Sequence, residues 1–549
     1  MSRPLPADLL LTGARIHTVD PLLPEAEALA VRDGVIAWLG PDAEAAAWAG
    51  PDTERIDAGG RLVLPGFVDA HNHVRLGSDA DCVQLAGVRT LEAVQERIWV
   101  WLAEHPDAEW IEAEAFDYSA IPGGRMPTAA DLDPVTGDVP AFVLSYDVHT
   151  AWLNTAALRR LGITRDHTDL PFGTAAVDPL TGEPTGFVKD FAIKGLSRDG
   201  YRALRELGVP WASTDRQYGR LARSLDDAIG FGITTVVEPQ NSLDDLALYE
   251  RARTEGRLRS RIVAALFHPR GTGPEDLDAF ADAARAYAGD RLRVGPLKLY
   301  IDDVVEPRTA ALLEPYAGCG HHRGETFYPA EEFAELLAGL DARGFQCFVH
   351  ATGDRGIRTV LDAVEHARAV NGPRDARHQV VHVECLDPQD VPRFAELGVV
   401  ACMQPRHCAP EIAGPGQDWA ENVGEERWHK AWPMRSLHEA DAVLAFSSDW
   451  NVAEMDPMIG IYTAVTRRSL DRGEAWQPEE TVDVATAVHG YTMGSAYANF
   501  LEAERGSLTV GKAADFVVLS RDILRVAPEA IPGTVAETVV VAGEVVHRA

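Results

Sequence analysis

Lysine is nearly missing from this chain, with five in 549 residues: Lys189, Lys194, Lys298, Lys430 and Lys512. Basic residues number 51 against 84 acidic ones, for a formal charge of −33. That deficit excludes the basic face that nucleic acid requires, and it opposes docking on an anionic membrane. No apolar run approaches the ~20 residues that span a bilayer. The six cysteines, Cys82, Cys319, Cys347, Cys385, Cys402 and Cys408, form no Cys-x-x-Cys pair. They read as reduced thiols of a cytoplasmic protein, and Met1-Ser2-Arg3-Pro4-Leu5-Pro6 meets turns too soon for a secretory leader. Hydrophobic content of 46% and charged content of 25% leave ample material for a core. The length fits one large α/β barrel with additions, or two to three domains.

Both ends of the chain alternate in the manner of strands. Leu9-Leu10-Leu11-Thr12, Ala28 to Val31 and Val35 to Leu39 are parted by turns such as Arg32-Asp33-Gly34, and Asp515 to Leu519, Thr538 to Val541 and Glu544 to Val546 supply similar pieces. One small β-sandwich built from residues 1–64 and 505–549 is expected, with a barrel over 65–504. Residues 75–210 are mixed and read as an insertion at the active-site mouth. Within it a helix is expected over Leu91 to Ala103 and another over Ala151 to Leu161. A strand is expected at Phe142 to Ser145, and a hairpin or lid-like excursion over Gly173 to Lys189.

From residue 211 helical patterns alternate with short buried strands: Ile233–Val237, Ile262–Leu266, Val294–Ile301, Phe345–His350, Gln379–Glu384, Val399–Met403 and Ala442–Phe446. With the run before His71 these make eight, which points to a (β/α)8 TIM-like barrel whose active site lies at the strand C-termini. His71 and His73 stand two apart and share one face of that first strand. Lys298 lies on the fourth strand, His350 ends the fifth, His382 sits on the sixth and Asp449 follows the eighth. Each would be costly to bury without a partner, and all fall at the same end of one barrel.

On these residues the chain resembles the amidohydrolase superfamily, and more closely amidohydrolase family 3, the branch that includes N-substituted formamide deformylase and the YtcJ-like proteins. The resemblance spans essentially the whole chain. It is carried by Leu64-Pro65-Gly66-Phe67-Val68-Asp69-Ala70-His71-Asn72-His73, Asp147-Val148-His149-Thr150-Ala151-Trp152, Gly353-Asp354-Arg355, Met403-Gln404-Pro405, Ser448-Asp449-Trp450 and Gly506-Ser507-Leu508 through Asp515. It implies one divalent metal on His71, His73 and Asp449, a second on His350 and His382, and an N6-carboxylated Lys298 bridging them. Zinc is the metal expected from the His-rich set, with manganese, iron and nickel open. Water acidified by the metal attacks a carbonyl carbon, and Asp449 takes its proton and passes it to the leaving amine.

The resemblance leaves the substrate open. Asp302-Asp303-Val304-Val305-Glu306-Pro307-Arg308 and Lys189-Asp190 both depart from the branch, and both are expected to border the substrate. His149 and Trp152 either line the pocket or only pack it. Arg308 either binds a substrate carboxylate or pairs with a nearby acid, and Trp450 is a further candidate wall. Asp354 and Glu384 are candidate orienters of His350 and His382. Asp117 and Tyr118 are placed near the mouth, and His321-His322 are either a metal loop or a solvated lid. The function expected is metal-dependent hydrolysis of an amide or N-formyl amine. A deaminase or cyclic-amide hydrolase is the alternative, and a barrel scaffold without catalysis is the rival from another class. A small-molecule substrate is the expected partner, with a homodimer left open.

Overall fold

The computed structural model describes residues 5–77 and 81–549; the expectations made for residues 1–4, and residues 78–80 of the insertion, lie outside them. Eight strands rich in Val, Ile, Leu and Ala form one parallel sheet: β1 (Phe67–Asp69), β2 (Ile233–Asn241), β3 (Arg261–Phe267), β4 (Leu292–Tyr300), β5 (Cys347–Ala351), β6 (Gln379–His382), β7 (Val400–Met403) and β8 (Leu444–Phe446). Each pairs with its sequence neighbours, from β1 to β8 in order. Burial on both faces explains why the strands read as apolar runs rather than alternations. Between β1 and β8 the ring closes through backbone bonds: Ala70 donates to Phe446 at 3.3 Å, and Asp449 donates to His71 at 2.8 Å. The chain is a TIM-like barrel.

Gly66 explains the Pro-Gly that precedes β1. A Cβ there would lie 2.3 Å from the Thr234 side chain on β2, so only glycine lets the two strands approach. The sixth strand stops at His382, short of the expected Glu384. His382 and Val383 both adopt positive φ, +80° and +51°, which turns the chain out of the sheet.

Leu62–Pro65, just before β1, lies in a six-stranded sheet with Arg15–His17 and Glu25–Ala26 from the N-terminus and Phe516–Leu519, Ala536–Val541 and Glu544–Arg548 from the C-terminus. A four-stranded sheet of N-terminal strands accompanies it, and Leu9, Ile16, Val63, Phe516 and Val540 share one core. The β-sandwich therefore draws on both termini. Arg261, at the start of β3, fastens it to the barrel: its guanidinium makes two bonds of 2.9 Å to the Asp515 carboxylate, with both side chains buried.

The insertion carries a seven-stranded mixed sheet running from Val83–Gln84 to Pro184–Lys189, with apolar cores of its own. Gly173–Val177 and Pro184–Lys189 form the expected antiparallel hairpin. The expected helix over Ala151 to Leu161 is corrected. Ala151–Leu153 is a strand paired with Ala141–Ser145, and the helix is confined to Thr155–Arg160. Asn154 sets that boundary as N-cap, accepting the Ala157 N–H at 2.8 Å. Among the described residues no helix is long and apolar enough to cross a membrane.

Candidate metal centre

At the C-terminal ends of the barrel strands, three ligand-type atoms converge. Asp449 Oδ1 lies 3.1 Å from His71 Nε2 and 3.4 Å from His73 Nε2, and the two nitrogens are 3.3 Å apart. The first strand stops at Asp69, so His71 and His73 do not lie on it as expected; the segment after β1 brings both imidazoles to one point, and the loop after β8 returns Asp449 to it with φ +56°. His382 joins from β6, and His71, His382 and Asp449 form a buried group able to hold a metal ion. The His350 and His382 rings lie 4.4 Å apart, and Lys298 Nζ rests over the rings of Tyr300 and Phe348 at 4.8 and 5.2 Å. Lys298, His71, His73, His350, His382 and Asp449 line one cavity.

Burial sets the protonation of this group. It drives the His71 imidazole down to about 3, with Lys298 adding to the effect, and holds His350 and His382 well below their ordinary value. Neutral imidazoles are the form that ligates a cation. Burial alone would raise the Asp449 carboxyl, but His71, His73 and His382 beside it hold it well below the usual carboxylate range. Burial also lowers the Lys298 amine to about 8, and no hydrogen bond reaches its Nζ among the described residues. A neutral fraction of that amine exists near neutral pH, and the neutral form is the one that adds CO₂. Asp449 Oδ1 and the Nδ1 atoms of His71 and His73 are buried without hydrogen-bond partners. A divalent cation between the two Nε2 atoms and Asp449 Oδ1 would satisfy a buried carboxylate oxygen whose neighbours are imidazole nitrogens, so the donor set fits the metal that the resemblance implies.

Among the surrounding residues the structure decides the alternatives left open for Trp152 and Arg308 and differs from expectation at Asp354 and Glu384. Trp152 does not line the cavity: it is buried in the insertion, against Phe116 at 4.9 Å, with its indole N–H donated to Thr128 O at 2.8 Å. Asp354 does not orient His350. It accepts from Lys430 Nζ at 2.8 Å and from the Leu313 N–H at 2.7 Å. Glu384 does not orient His382 either; its Oε2 accepts from Trp419 Nε1 at 3.0 Å, and the residue faces the cavity. Arg308 lies in an outer depression, donating to Asn422 Oδ1 at 2.6 Å. Trp450 is on the wall of the outer vestibule, its indole nitrogen 3.3 Å from Ser224 Oγ. Asp117 lies there beside Arg89, while Tyr118 hydrogen-bonds Asp147 at 3.1 Å. His321 and His322 are exposed on a loop, and neither belongs to a metal-capable group among the described residues.

His149 does reach the cavity, beside His350 with ring centroids 5.6 Å apart. Burial works against its protonation, but the Asp303 carboxylate bonded to Nδ1 outweighs burial and pushes it up to about 9. The protonated form of His149 is thus favoured in the cavity wall beside His350. Four further residues complete the site, two of them, Asp303 and Glu306, within the stretch after Lys298 that was expected to border the substrate. Gln404 Oε1 lies 2.9 Å from His382 Nδ1, and Gln404 in turn donates to Ser447 Oγ at 2.8 Å. Asp303 fixes His149. His407 and Glu306 line the cavity from the loops after β7 and β4. Gln404 was visible in Met403-Gln404-Pro405 and Asp303 in the departure after Lys298. Nothing in composition or period assigned either a partner.

The family model described as the amidohydrolase family matches residues 54–547. The chain is 30% identical over 531 residues to the protein LONG AFTER FAR-RED 3 of Arabidopsis thaliana, covering 94% of this chain and 87% of that one. It is 30% identical over 534 residues to N-substituted formamide deformylase of Arthrobacter pascens, covering 94% of each. The crystal structure of an uncharacterized metal-dependent hydrolase from Pyrococcus furiosus superimposes with a TM-score of 0.70 at 25% identity, over 94% of this chain and 100% of that one. A family match over nearly the whole chain, joined to this arrangement at the strand ends, settles the assignment: the chain belongs to the amidohydrolase family and is a hydrolase of carbon–nitrogen bonds other than peptide bonds.

Proposed function

We propose that the enzyme hydrolyses an amide or N-formyl amine of a small molecule, with Asp449 as the proton-transfer residue. The observation that carries this reading is the convergence of Asp449 Oδ1 with His71 and His73 at 3.1 and 3.4 Å, at the mouth end of the barrel. His71, His73 and Asp449 would hold one divalent metal, most naturally zinc, and His350 and His382 a second, with Lys298 between them as its carbamate. A metal held there supplies Lewis acidity, which lowers the pKa of water and polarises a carbonyl oxygen.

The chain's own residues supply the rest. Asp449, held ionised, accepts a proton from the attacking water and returns it to the leaving nitrogen. His149, held cationic by Asp303, offers a fixed donor to the oxygen on which negative charge gathers. The insertion contributes Asp147 and His149 to the cavity wall.

One observation favours a second reading. Trp152 and Trp450 do not line the inner cavity; Trp432 does, together with Glu306 and Glu384. Two acceptors facing a substrate suit ring N–H or amino groups, as in a cyclic amide or an amino-substituted ring. The experiment is a panel of N-formyl amines, linear amides, cyclic amides and amino-heterocycles, read as released amine, ammonia or carboxylate. Turnover of linear or N-formyl amides supports the first reading; turnover confined to rings replaces it with the second. No turnover of any class by metal-replete protein would sink both.

A further inference from the structure

Glu306 lines three adjoining spaces: the inner cavity that holds the metal ligands, the vestibule of about 410 Å³ outside it, and the outer depression. Tyr146, Ile412 and Val452 also line both the cavity and the vestibule, so these four side chains form the throat between them. The carboxylates along this path fall into two sets. Asp117 is paired with Arg89, and Glu411 and Glu454 are paired with Arg406 at 2.6 and 2.7 Å. Glu306 in the throat, and Asp418 on the vestibule and the depression, have neither an ion pair nor a side-chain hydrogen bond among the described residues. The arginines of the depression are engaged elsewhere, Arg308 with Asn422 Oδ1 and Arg125 with Asp131. A separate observation lies deeper. Glu384 is 6% exposed and faces the inner cavity; one oxygen accepts the Trp419 indole N–H at 3.0 Å, and the other has no donor among the described residues. The wall beside it is Trp432, whose backbone N–H is bonded to Glu384 O at 2.8 Å. A buried carboxylate oxygen facing a cavity without a donor is costly unless a ligand supplies one.

Resting on the amide-hydrolase reading above, we propose that the substrate carries a protonated amine besides its scissile amide, and that Glu306 is the residue that selects it. An alkylammonium has three donors and no acceptor, which is what a throat with unpaired carboxylates lacks. The indole of Trp432 adds a surface that attracts an organic cation. A purely alkyl tail would leave Glu306 and Glu384 dry and unpaired, and a carboxylate tail would meet like charge. Burial, with Asp147 and Asp418 beside it, pushes the Glu306 carboxyl up to about 7, a shift that a bound cation opposes. The stretch that carries Glu306 is the one in which this chain departs from its branch, so the selection belongs to this chain and not to the hydrolytic centre it shares.

The test compares three series on the full, metal-replete chain: mono-N-formyl diamines with spacers of two to six methylenes, N-formyl alkylamines in which a methyl group replaces the ammonium, and N-formyl amino acids of similar length. At the best spacer the ammonium compound should exceed its methyl isostere by ~10–100-fold in kcat/KM, the worth of a charge-assisted hydrogen bond, and the carboxylate compound should be the poorest. Glu306→Gln should lose the preference, and Glu306→Lys should favour the carboxylate series. Equal kcat/KM for the ammonium and methyl compounds in wild type, or an undiminished preference in Glu306→Gln, overturns the proposal. Calorimetric binding of the same compounds to metal-free wild type needs neither hydrolysis nor a variant that folds. Tighter binding of the ammonium member there, with no turnover of any compound by metal-replete protein, sinks the hydrolase reading and supports the cation selection. Equal binding of the ammonium and methyl members overturns the selection.

Discussion

Asp69 accepts the Ser448 hydroxyl at 2.6 Å and the Ser448 N–H at 3.0 Å, joining the end of the first barrel strand to the loop that carries Asp449. The same carboxylate takes the Asn72 side-chain N–H at 2.9 Å, so one buried acid braces both halves of the His71–His73–Asp449 cluster. Burial pushes its carboxyl up to about 6, against the pull of these donors. Asp69→Ala removes the brace and leaves the ligands in place. Metal affinity should fall by ~10–100-fold, the usual cost of losing a group that orients ligands. Competition with a chelator of known affinity measures it, and an unchanged affinity would mean that the strand ends hold the ligands without Asp69.

The clamp at the other end of the barrel concerns stability rather than catalysis. Arg261→Met leaves Asp515 buried, with the Ala542 N–H at 2.7 Å as a remaining donor. Stranding a buried charge in this way costs about 3–5 kcal/mol. The unfolding midpoint in urea should drop accordingly, and the double variant Arg261→Met with Asp515→Leu should recover part of the loss. Additive losses from the two single changes would show that the residues do not act as a pair.

Lys298 gives a prediction that depends on gas rather than mutation. If its carbamate bridges two cations, protein stripped of metal and refilled in CO₂-free buffer should bind less metal than protein refilled with bicarbonate. Lys298→Ala should bind the low amount under both conditions. Equal metal in wild type with and without bicarbonate would remove the bridge and leave a single-metal site.

The barrel and the residues gathered at its mouth were legible because burial writes itself into sequence. A polar residue at or just beyond the end of an apolar strand stands out, and this brought His71, Lys298, His350 and His382 to notice; the first strand ends at Asp69, so His73 meets His71 through the path of the following segment and not through strand alternation. Direction in the loops was not legible. Asp354 stands four residues after His350, and Glu384 two after His382, yet Asp354 turns to Lys430 and Glu384 to Trp419. The group that meets His382 is Gln404, 22 residues away in the chain. Trp152 was left open between pocket and packing for a related reason: a motif residue on a strand has two faces, and the indole went to the insertion's core while His149, in the turn before, went to the cavity. Long-range pairs such as His149 with Asp303, 154 residues apart, have no local signature at all.

That last pair makes a prediction for pH. In the folded chain His149 is raised to about 9 from an ordinary value of 6.5, because Asp303 stabilises its protonated form more than burial opposes it. A raised folded value means that protons bind the folded state more tightly than the unfolded one. The pair's contribution is therefore complete below pH 6.5 and is lost as pH rises through about 9. A shift of this size corresponds to at most about 3 kcal/mol. In metal-free protein, wild type should exceed Asp303→Asn in stability at pH 6, and the gap should close toward pH 10, as followed by denaturation midpoints across that range. With metal bound, His149→Phe should lower kcat by ~10²–10³-fold, as removal of a donor to a developing oxyanion does. It should leave metal content unchanged. A loss confined to KM would instead place His149 in substrate binding alone.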